Sequence, residues 1–466
     1  MTQINRRDFI KLSSASAALA IAPSILKAEV AGILGERVVI IGGGFAGATL
    51  AKYLRLWSNE KIHVTMIDKE PDHVSCVLSN LILNDRLKLA DITQSYAPLQ
   101  DNYGVIVKQG VVTGVAGDAV KIVHLENGET VECDYVALAP GIEFMDLPGL
   151  KEDGINNFDK VPHAWIAGEK TQTEEYGEIT QTELLRKQLQ GMNSGDTFIM
   201  TVPESPYRCP PGPYERACVV ADYIQRVKGG GTVIVLDPHA DITIEKETFN
   251  KAFKGIYSET VQYVPNAKLQ SIEISSNGEK VVKTTDGEEY TANVVNIIPT
   301  HKAGKIVETL GLLPTGKRFS PVDPASYESA VPGKSGFYII GDANDSGQPK
   351  SGHMANSQAK VCADAIIRVI AGKSTTEDLV HDPARLSRIK TNSACYSPIT
   401  YDEASWLTAV FGYETVINST ELVGDTFGSM KVVSESFSSS HSPHWSRENF
   451  DDMFDWANSL FSNSFR

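Results

Sequence analysis

One cysteine in this chain has neighbours that would make its thiol reactive. Cys209 lies in the segment YRCPPGPYERA, directly before a predicted helix with Pro213 in its first turn. The positive end of the helix dipole and the cations Arg208 and Arg216 favour the thiolate form. Because a thiolate attacks sulfur or donates electrons to an acceptor, we predict that Cys209 is catalytic.

A carboxylate follows in the same segment. Glu215 lies six residues after Cys209, near the start of the predicted helix. A carboxyl group within reach of a thiol can carry its proton, which makes Glu215 the second predicted catalytic residue. An ion pair with Arg208 or Arg216 explains the same residue equally well, and the sequence leaves both roles open.

A glycine-rich loop near the N-terminus has the form of a dinucleotide-binding site. An apolar strand predicted over Arg37–Ile41 leads into GGGFAG, a helical pattern runs to Leu56, and a second strand, Ile62–Ile67, ends at Asp68. Glycines in such a loop allow a tight turn and the close approach of a pyrophosphate, and the acid accepts ribose hydroxyl groups. The predicted cofactor-binding residues of this unit are Gly42, Gly44, Ala46, Gly47 and Asp68.

Two later segments indicate that the dinucleotide is FAD. Cys133–Glu143, CDYVALAPGIE, is predicted as a strand that enters a turn of small residues, and Phe337–Asp342, FYIIGD, as a strand that ends in Gly-Asp. In flavoproteins with two dinucleotide modules, an aspartate at that place meets the ribityl chain and the phosphates. A helix N-cap is the alternative role for Asp342. The predicted cofactor contacts here are Ala139, Gly141, Gly341 and Asp342.

The segment KSGHMANSQ is predicted to open the next helix. N–H groups of its first turn would point at the pyrimidine end of the flavin and stabilise the anionic reduced form. Asn356 is therefore predicted as a further cofactor contact, although a capping role explains Asn356 and Ser357 as well. His353 is predicted to face solvent from the loop, and a histidine beside the flavin that titrates near neutral pH is the alternative.

The order of strands and helices predicts an α/β fold. We expect two Rossmann-like modules of glutathione-reductase type, followed by a C-terminal α+β domain. The central module has PESPYRCPPGP where a pyridine-nucleotide site would have its glycines, so we predict no NAD site there, since prolines lack N–H donors. The predicted divisions are a leader over 1–28, an FAD-binding domain over 35–160 and 300–372, a central domain over 161–299 and a C-terminal domain over 375–466.

The N-terminus has the features of an export signal. Asn5–Lys11, NRRDFIK, is of twin-arginine form, and the apolar run from Leu12 to Leu26 is too short to span a bilayer. We therefore expect export to the periplasm with cleavage after Ala28, and an ordinary amphipathic helix is the alternative. The formal net charge of the chain is −15, and removal of the basic leader makes it more negative. This acidity disfavours nucleic acid and anionic membranes as partners.

The cysteines show no metal or haem pattern. The chain has six of them, and none forms a CxxC pair, a zinc-like cluster or a CxxCH motif. We therefore predict no metal site, and any haem must come from another protein. A periplasmic location permits disulfides, but the spacing assigns none.

The last segment predicts an amphipathic helix. Within His444–Phe461, apolar residues recur at helical spacing, and the acidic residues Glu448, Asp451, Asp452 and Asp455 are placed on the opposite face. Because membrane-surface helices prefer basic residues there, we predict packing against the body or a partner subunit. The preceding Ser434–Ser442 is predicted as a flexible linker, and no transmembrane segment is predicted.

Over nearly its whole length, the chain resembles the flavoprotein subunit of flavocytochrome c sulfide dehydrogenase. The segments that carry the match include VVIIGGGFAGATLAKYLRL, VSCVLSN, YRCPPGPYERA, PVDPASYES, IIGDA, KSGHMANSQ and ACYSP. The resemblance implies a protein that binds FAD, oxidises sulfide in the periplasm and passes electrons to a c-type cytochrome subunit.

The resemblance also implies roles for two cysteines. Cys76, in VSCVLSN, matches the cysteine that the family bonds covalently to the flavin 8α carbon, and a buried inert cysteine is the alternative. Cys209 matches one half of the family's redox disulfide above the flavin. The family's second cysteine directly follows Gly-Asp-Ala, where this chain has Asn344. The family mechanism therefore cannot be carried over intact.

Three hypotheses of function follow. The first is a periplasmic FAD oxidoreductase that acts on sulfide or a related reduced sulfur compound, with a c-type cytochrome as acceptor. The second is a sulfide:quinone-type reductase, which needs a membrane-binding surface that the acidic C-terminal helix disfavours. The third is a flavin electron-transfer subunit without sulfur chemistry of its own, which the missing cysteine favours.

Overall fold

The computed structural model describes residues 35–373, 375, 383–414, 428–440 and 444–466. The predicted leader, 1–28, lies outside the described residues. Within them, no helix combines the length and the apolar character that crossing a bilayer requires.

Strands and helices alternate through most of the described chain. The first elements are β1 (Arg37–Ile41), α1 (Phe45–Trp57), β2 (His63–Asp68), β3 (Asp72–Val74), α2 (Asn80–Leu83), β4 (Thr93–Ser95), α3 (Ala97–Tyr103), β5 (Ile106–Gln109), β6 (Val112–Ala116), β7 (Lys121–Leu125), β8 (Thr130–Cys133), β9 (Tyr135–Leu138), β10 (Ile142–Phe144), β11 (Lys151–Glu152) and β12 (Ile155–Asn156). The next elements are β13 (Lys170–Thr173), β14 (Gly177–Thr180), α4 (Gln181–Gly191), β15 (Thr197–Thr201), α5 (Gly212–Tyr223), β16 (Thr232–Leu236), α6 (Lys246–Lys251), β17 (Val261–Val264), β18 (Leu269–Ile274), β19 (Lys280–Thr284), β20 (Glu289–Thr291) and β21 (Val294–Asn296). The last elements are β22 (His301–Ala303), α7 (Lys305–Thr309), β23 (Phe337–Ile339), α8 (Gly352–Ile370), α9 (Pro383–Arg388), β24 (Lys390–Pro398), β25 (Ala404–Glu414), β26 (Ser429–Phe437) and α10 (Arg447–Phe465).

A five-stranded parallel sheet forms the first module, in the order β23-β9-β1-β2-β5. After Arg37, the strand β1 is an uninterrupted apolar run, as expected of a strand covered on both faces, and Val38, Val39 and Ile40 are fully buried. Because β23 comes from far along the chain, the segments around 37–138 and 337–339 join in one sheet. The carboxyl ends of its strands therefore bring the glycine loop and the Gly341-Asp342 turn to one edge.

The central sheet is also parallel, in the order β17-β16-β15-β21. The loop after β15 carries Cys209 and leads into α5, which has Pro213 in its first turn as predicted. With two parallel sheets and their covering helices, the predicted α/β class is confirmed.

The C-terminal part adds an antiparallel sheet, β24-β25-β26, and the helix α10. The helix packs on the body of the protein as predicted: the rings of Phe461 and Phe465 lie 6.0 and 5.4 Å from that of Phe45 in α1. Two details of the prediction are wrong. Most of the expected linker Ser434–Ser442 belongs to β26 and a 3₁₀ turn, with 441–443 outside the described residues, and Asp452 is buried where solvent exposure was expected.

Candidate flavin site and cysteine-lined cavity

A groove of about 390 Å³ lies at the carboxyl edge of the first sheet. Nearly all the predicted cofactor residues meet there, although they come from five separate stretches of the chain. The predicted residues that line it are Gly42, Gly44, Ala46, Asp68, Cys76, Ala139, Gly141, Gly341 and Asp342.

Two glycines of the loop are required by close backbone packing, and a third leaves space in the groove. Gly42 has a left-handed φ of 104°, and a Cβ there would lie 2.3 Å from the carbonyl oxygen of Ala139. A Cβ on Gly47 would lie 1.8 Å from the carbonyl oxygen of Gly42, so Gly47 packs the helix against the loop and does not itself line the groove. Gly44 meets only His73 at ordinary contact distance, so it leaves the groove open for a pyrophosphate at the start of α1.

Several buried polar atoms around the groove have no hydrogen-bond partner within the described residues. They include Oδ1 of Asp342, Nε2 of His73 and Nε of Arg208. Burial raises the pKa of Asp342, whereas the nearby cations Arg208 and Lys350 lower it. Buried polar groups in proteins are nearly always paired, so these atoms fit a polar ligand such as the ribityl chain of FAD. The carboxylate of Asp68, which accepts the amides of Gly43 and Glu70, retains lone pairs for a ribose.

The start of α8 bears on the capping roles considered for Asp342 and Asn356 and on the predicted cofactor contact of Asn356. The N-cap of α8 is Ser351, which accepts from the amide of Met354, so neither Asp342 nor Asn356 caps this helix. Asn356 donates to Thr49 and Ser464 and does not line the groove, because its helix face packs against α1 and α10.

His353 is buried inside α8, where a solvent-facing loop was expected. Its Nδ1 accepts from the amide of Ala394 and the indole of Trp456. Burial lowers the pKa of His353 to about 4, so the ring is neutral at physiological pH. It therefore holds the C-terminal sheet against α8 and does not titrate near neutrality.

A smaller cavity of about 60 Å³ adjoins the groove. Cys76, Arg208 and Gly352 line both spaces, so the cavity opens at one end of the groove. Both predicted catalytic residues, Cys209 and Glu215, line the cavity.

Cys209 is held at the start of α5 by its backbone. Its amide donates a 2.7 Å hydrogen bond to the carbonyl of Lys350, and its φ of 57° lies in the left-handed region. A Cβ on Gly212 would lie 2.9 Å from Sγ of Cys209, so the glycine leaves room for the sulfur. The prediction of a favoured thiolate is wrong: burial raises the pKa of Cys209 well above its usual value, and Arg208 offsets this only in part.

Glu215 is a buried carboxyl group with one side-chain partner. The amide of Asn80 donates a 2.9 Å hydrogen bond to its Oε1. The guanidinium of Arg216 instead binds the side chains of Asn80 and Asn296 and two backbone carbonyls, and that of Arg208 donates to the carbonyl of Trp165. Within the described residues, neither arginine forms the alternative ion pair with Glu215. Burial raises the pKa of Glu215 to about 8, which leaves it able to gain or lose a proton near neutral pH.

The cavity contains a third cysteine that the sequence analysis did not assign. Cys395 of β24 lines it together with Cys76 and Cys209. Asn344, at the place of the family's second cysteine, is buried and donates to Gln358, and it lines neither space. The only sequence signal for Cys395 was its position in the ACYSP motif, which carries no spacing relation to Cys209.

In the central module, the acid at the ribose-binding position is hydrogen-bonded to other side chains of the protein. Asp237 follows β16, where a nicotinamide-binding module would present an acid to a ribose, and it is fully buried. Its Oδ2 accepts from the hydroxyls of Tyr214 and Tyr263 at 2.7 and 2.9 Å, and its Oδ1 lies 2.7 Å from the ring of His239. The carboxylate is thus committed to internal partners, which supports the prediction that this module binds no NAD.

The fold and the groove are those of a flavoprotein of the pyridine nucleotide-disulfide oxidoreductase class. Residues 36–175 match the family model of pyridine nucleotide-disulphide oxidoreductases, and residues 182–299 match the central domain of the sulfide dehydrogenase (flavocytochrome c) flavoprotein chain. FAD is the cofactor, and the groove residues described above would hold it.

Comparisons with individual proteins agree with this class. The flavoprotein chain of sulfide dehydrogenase (flavocytochrome c) from Chlorobaculum thiosulfatiphilum is 45% identical over 47 residues, which is 10% of this chain and 96% of that sequence. Monodehydroascorbate reductase 1 of Arabidopsis thaliana is 28% identical over 165 residues, 32% of this chain and 35% of its own length. The chain thus spans about a third of the length of the first curated relatives that it matches. The chain belongs to the family of flavocytochrome c sulfide dehydrogenase flavoprotein chains.

A solved structure extends the likeness of the fold to the C-terminal part. The sulfide:quinone oxidoreductase of Aquifex aeolicus superposes with a TM-score of 0.65 at 15% identity, covering 92% of both chains. At this identity the comparison concerns the fold alone.

Proposed function

We propose that this protein is a periplasmic FAD-dependent oxidoreductase that oxidises sulfide or a related reduced sulfur compound and passes the electrons to a c-type cytochrome. The observation that carries the proposal is the cavity in which three cysteines and Glu215 meet at the end of the FAD groove. Thiols beside a flavin are suited to exchange with sulfur compounds, because sulfur–sulfur bonds form and break by thiolate attack.

Different residues of the cavity would bind the substrate sulfur and take up the proton. The substrate sulfur would bond to a cysteine of the cavity, and Glu215 would take up a proton that is released on oxidation. Arg208, which lines both spaces, would hold an anionic substrate near Cys209 by its charge. FAD, when bound, supplies an acceptor for two electrons.

The cytochrome acceptor and the periplasmic location rest on the family and the sequence. The name of the matched family model includes flavocytochrome c, and this chain has no haem-attachment motif of its own. Export is tested by cell fractionation with Arg6→Lys and Arg7→Lys combined: the wild type is expected in the periplasm and the variant in the cytoplasm. An equal distribution of the two proteins would contradict twin-arginine export.

Anaerobic mixing with sulfide tests the activity. The visible absorbance of the bound flavin is expected to bleach in the wild type and in Cys362→Ala, a matched control whose fully buried cysteine lies outside the cavity. Cys209→Ser is expected to lose most of the rate. A c-type cytochrome should then reoxidise the flavin faster than a soluble quinone does, and the reverse order would favour a sulfide:quinone-type reductase.

Because Asn344 stands where the family has its second redox cysteine, a second function is also considered. A flavin electron-transfer subunit without sulfur chemistry would keep its colour when mixed with sulfide, and Cys209→Ser would change nothing. That outcome would reject the proposed activity.

A further inference from the structure

We infer that Cys395 is the redox partner of Cys209, and that the two form a reversible disulfide in the cavity. Cys395 would thereby take the part that the family gives to a cysteine at position 344. The inference deepens the proposed function and rests on it for the identity of the substrate.

The two cysteines are brought together by contacts to one short segment, Lys350–His353. The amide of Cys209 donates to the carbonyl of Lys350 at 2.7 Å. On the other side, the hydroxyls of Ser393 and Ser351 lie 2.9 Å apart, and the amide of Ala394 donates to His353 at 3.1 Å. Cys209 itself, and the residues Ser393 and Ala394 that precede Cys395, are thus bonded to the same segment at the N-terminus of α8.

Strand geometry directs Cys395 toward this position. Ser393 and Cys395 are two residues apart in β24, so their side chains lie on the same face of the strand. Both Cys209 and Cys395 line the small cavity and are only partly buried. The effect of Cys395 on Cys209 is consistent with this placement, because after burial the Cys395 thiol contributes most to raising the pKa of Cys209.

The other cysteines of the chain are unsuited to the role. Cys133, Cys218 and Cys362 are fully buried in the interior and line neither the cavity nor the groove. Cys76 is the cysteine that the family resemblance assigns to covalent attachment of the flavin, and a thioether sulfur cannot enter a disulfide. Cys209 and Cys395 then remain as the pair.

At position 344, where the family has its second cysteine, this chain has an asparagine that belongs to a polar network. The amide of Asn344 donates a 2.8 Å hydrogen bond to Oε1 of Gln358, which also accepts from the backbone of Gly341. The side chain therefore supports the turn after β23 and does not reach the cavity. A redox disulfide in this chain needs a partner from another element, and β24 supplies one.

The chemistry balances with hydrosulfide as the reductant. Hydrosulfide bonds to Sγ of Cys395, and the disulfide bond breaks to leave a persulfide on Cys395 and a thiolate on Cys209. A second hydrosulfide bonds to the outer persulfide sulfur and releases disulfane, leaving the Cys395 thiolate. Re-formation of the bond between Cys209 and Cys395 gives up two electrons, for which the oxidised FAD of the family is the acceptor. Disulfane keeps the hydrogens of both hydrosulfides, and the proton that it loses on ionising passes to Glu215, which lines the same cavity.

Peptide mapping of the oxidised flavoprotein tests the pair without reference to sulfide. Free thiols are alkylated during denaturation without reductant, and the digest is analysed by mass spectrometry. A peptide that joins Cys209 to Cys395 is expected, and Cys362→Ala should retain it. Alkylated Cys395 in the oxidised protein, or a link from Cys209 to any other cysteine, would overturn the inference.

A reductive titration gives a second measurement. Flavin and disulfide together should take up about four electrons per protein, and Cys395→Ser should take up about two, because a disulfide is a two-electron couple. Cys395→Ser that folds, binds FAD and still takes up about four electrons would overturn the inference. The proposed sulfide oxidation fails separately, if the disulfide is present but sulfide leaves the flavin oxidised.

Discussion

The side-chain amide of Asn80 donates a 2.9 Å hydrogen bond to Oε1 of Glu215. The same asparagine accepts a 2.9 Å hydrogen bond from Nε of Arg216. Asn80 therefore stands between the carboxyl group and the guanidinium, and Glu215 has a neutral partner in place of a direct ion pair. Burial then dominates and raises its pKa to about 8.

Glu215→Gln should slow the reduction of the flavin by sulfide about 10²- to 10⁴-fold, the usual effect of losing a positioned proton acceptor. The amide oxygen of glutamine can still accept from Asn80, so the fold should be preserved. Stopped-flow absorbance across pH measures the effect, and the wild-type rate change near pH 8 should vanish in the variant. Glu245→Gln is the control, because this buried carboxyl group lies outside the cavity and binds Ser397 and Ser405. A wild-type rate in Glu215→Gln would reject the assignment.

Stability should fall as pH rises through the pKa values of Glu215 and Glu245. Burial raises these to about 8 and about 7, so between about pH 4.5 and these values the folded state holds protons that the unfolded state has lost. The free energy of unfolding then decreases by up to about 1.4 kcal/mol per pH unit for each group. Thermal unfolding from about pH 6 to pH 8 should show a steeper loss for the wild type than for Glu215→Gln combined with Glu245→Gln. Parallel curves would contradict the raised values.

Cys76 should hold the flavin covalently. Acid denaturation of the wild type should leave the yellow colour with the polypeptide, because a thioether survives conditions that release a non-covalent ligand. Cys76→Ala should release the colour into the supernatant, while Cys395→Ser should keep it on the protein. Mass spectrometry of the peptide around Cys76 checks the bond directly, and an unmodified peptide would show that this cysteine is only a groove residue.

NADH should leave the flavin oxidised. The Asp237 carboxylate is bonded to Tyr214, Tyr263 and His239, so it cannot accept ribose hydroxyl groups without breaking buried hydrogen bonds. Anaerobic addition of NADH or NADPH, followed by absorbance, should give no bleaching, with dithionite as the positive control. Rapid bleaching would show that the central module retains a nicotinamide site.

Arg216→Met should destabilise the protein by about 3–5 kcal/mol, the range for removing one partner of a buried charged network. Arg216 is almost fully buried, and its loss removes the donor from Oδ1 of Asn80, Oδ1 of Asn296 and the carbonyl of Ala164, whereas the carbonyl of His163 keeps the amide of Asn296. Urea denaturation followed by fluorescence measures the change. Arg226→Met is the matched control, because this arginine is 40% exposed and its ion pair with Asp222 should contribute less than about 1 kcal/mol. Equal effects of the two substitutions would refute the argument.

The glycine loop and both parallel modules were predictable from local sequence. A strand, a loop and a helix that follow one another determine the position of Gly42 and Gly44, and the pattern of apolar residues marks the strands. His353 was expected in the loop but lies in the first turn of α8, because Ser351 caps the helix before the apolar periodicity becomes visible. The burial of His353 was not predicted, because the residues that cover it, Ala394 of β24 and Trp456 of α10, are distant in the sequence.

The electrostatics of the cavity could not be predicted from neighbouring charges alone. From the sequence, the charges of Arg208 and Arg216 are expected to favour the thiolate of Cys209. In the structure, Arg216 is hydrogen-bonded to Asn296 in the interior, and burial raises the pKa of Cys209 more than Arg208 lowers it. The meeting of Cys209 and Cys395 depends on how the C-terminal sheet docks on α8. No local pattern encodes such a long-range contact.

The three internal hydrogen-bond partners of Asp237 determine what it would take to free this carboxylate. Substituting Tyr214 alone would leave Tyr263 and His239 on the carboxylate, and substituting either of those would leave Tyr214 there. None of these three substitutions alone frees the carboxylate, because the other two partners remain bonded to it. A free acid at this position would therefore require the replacement of several of these partners together.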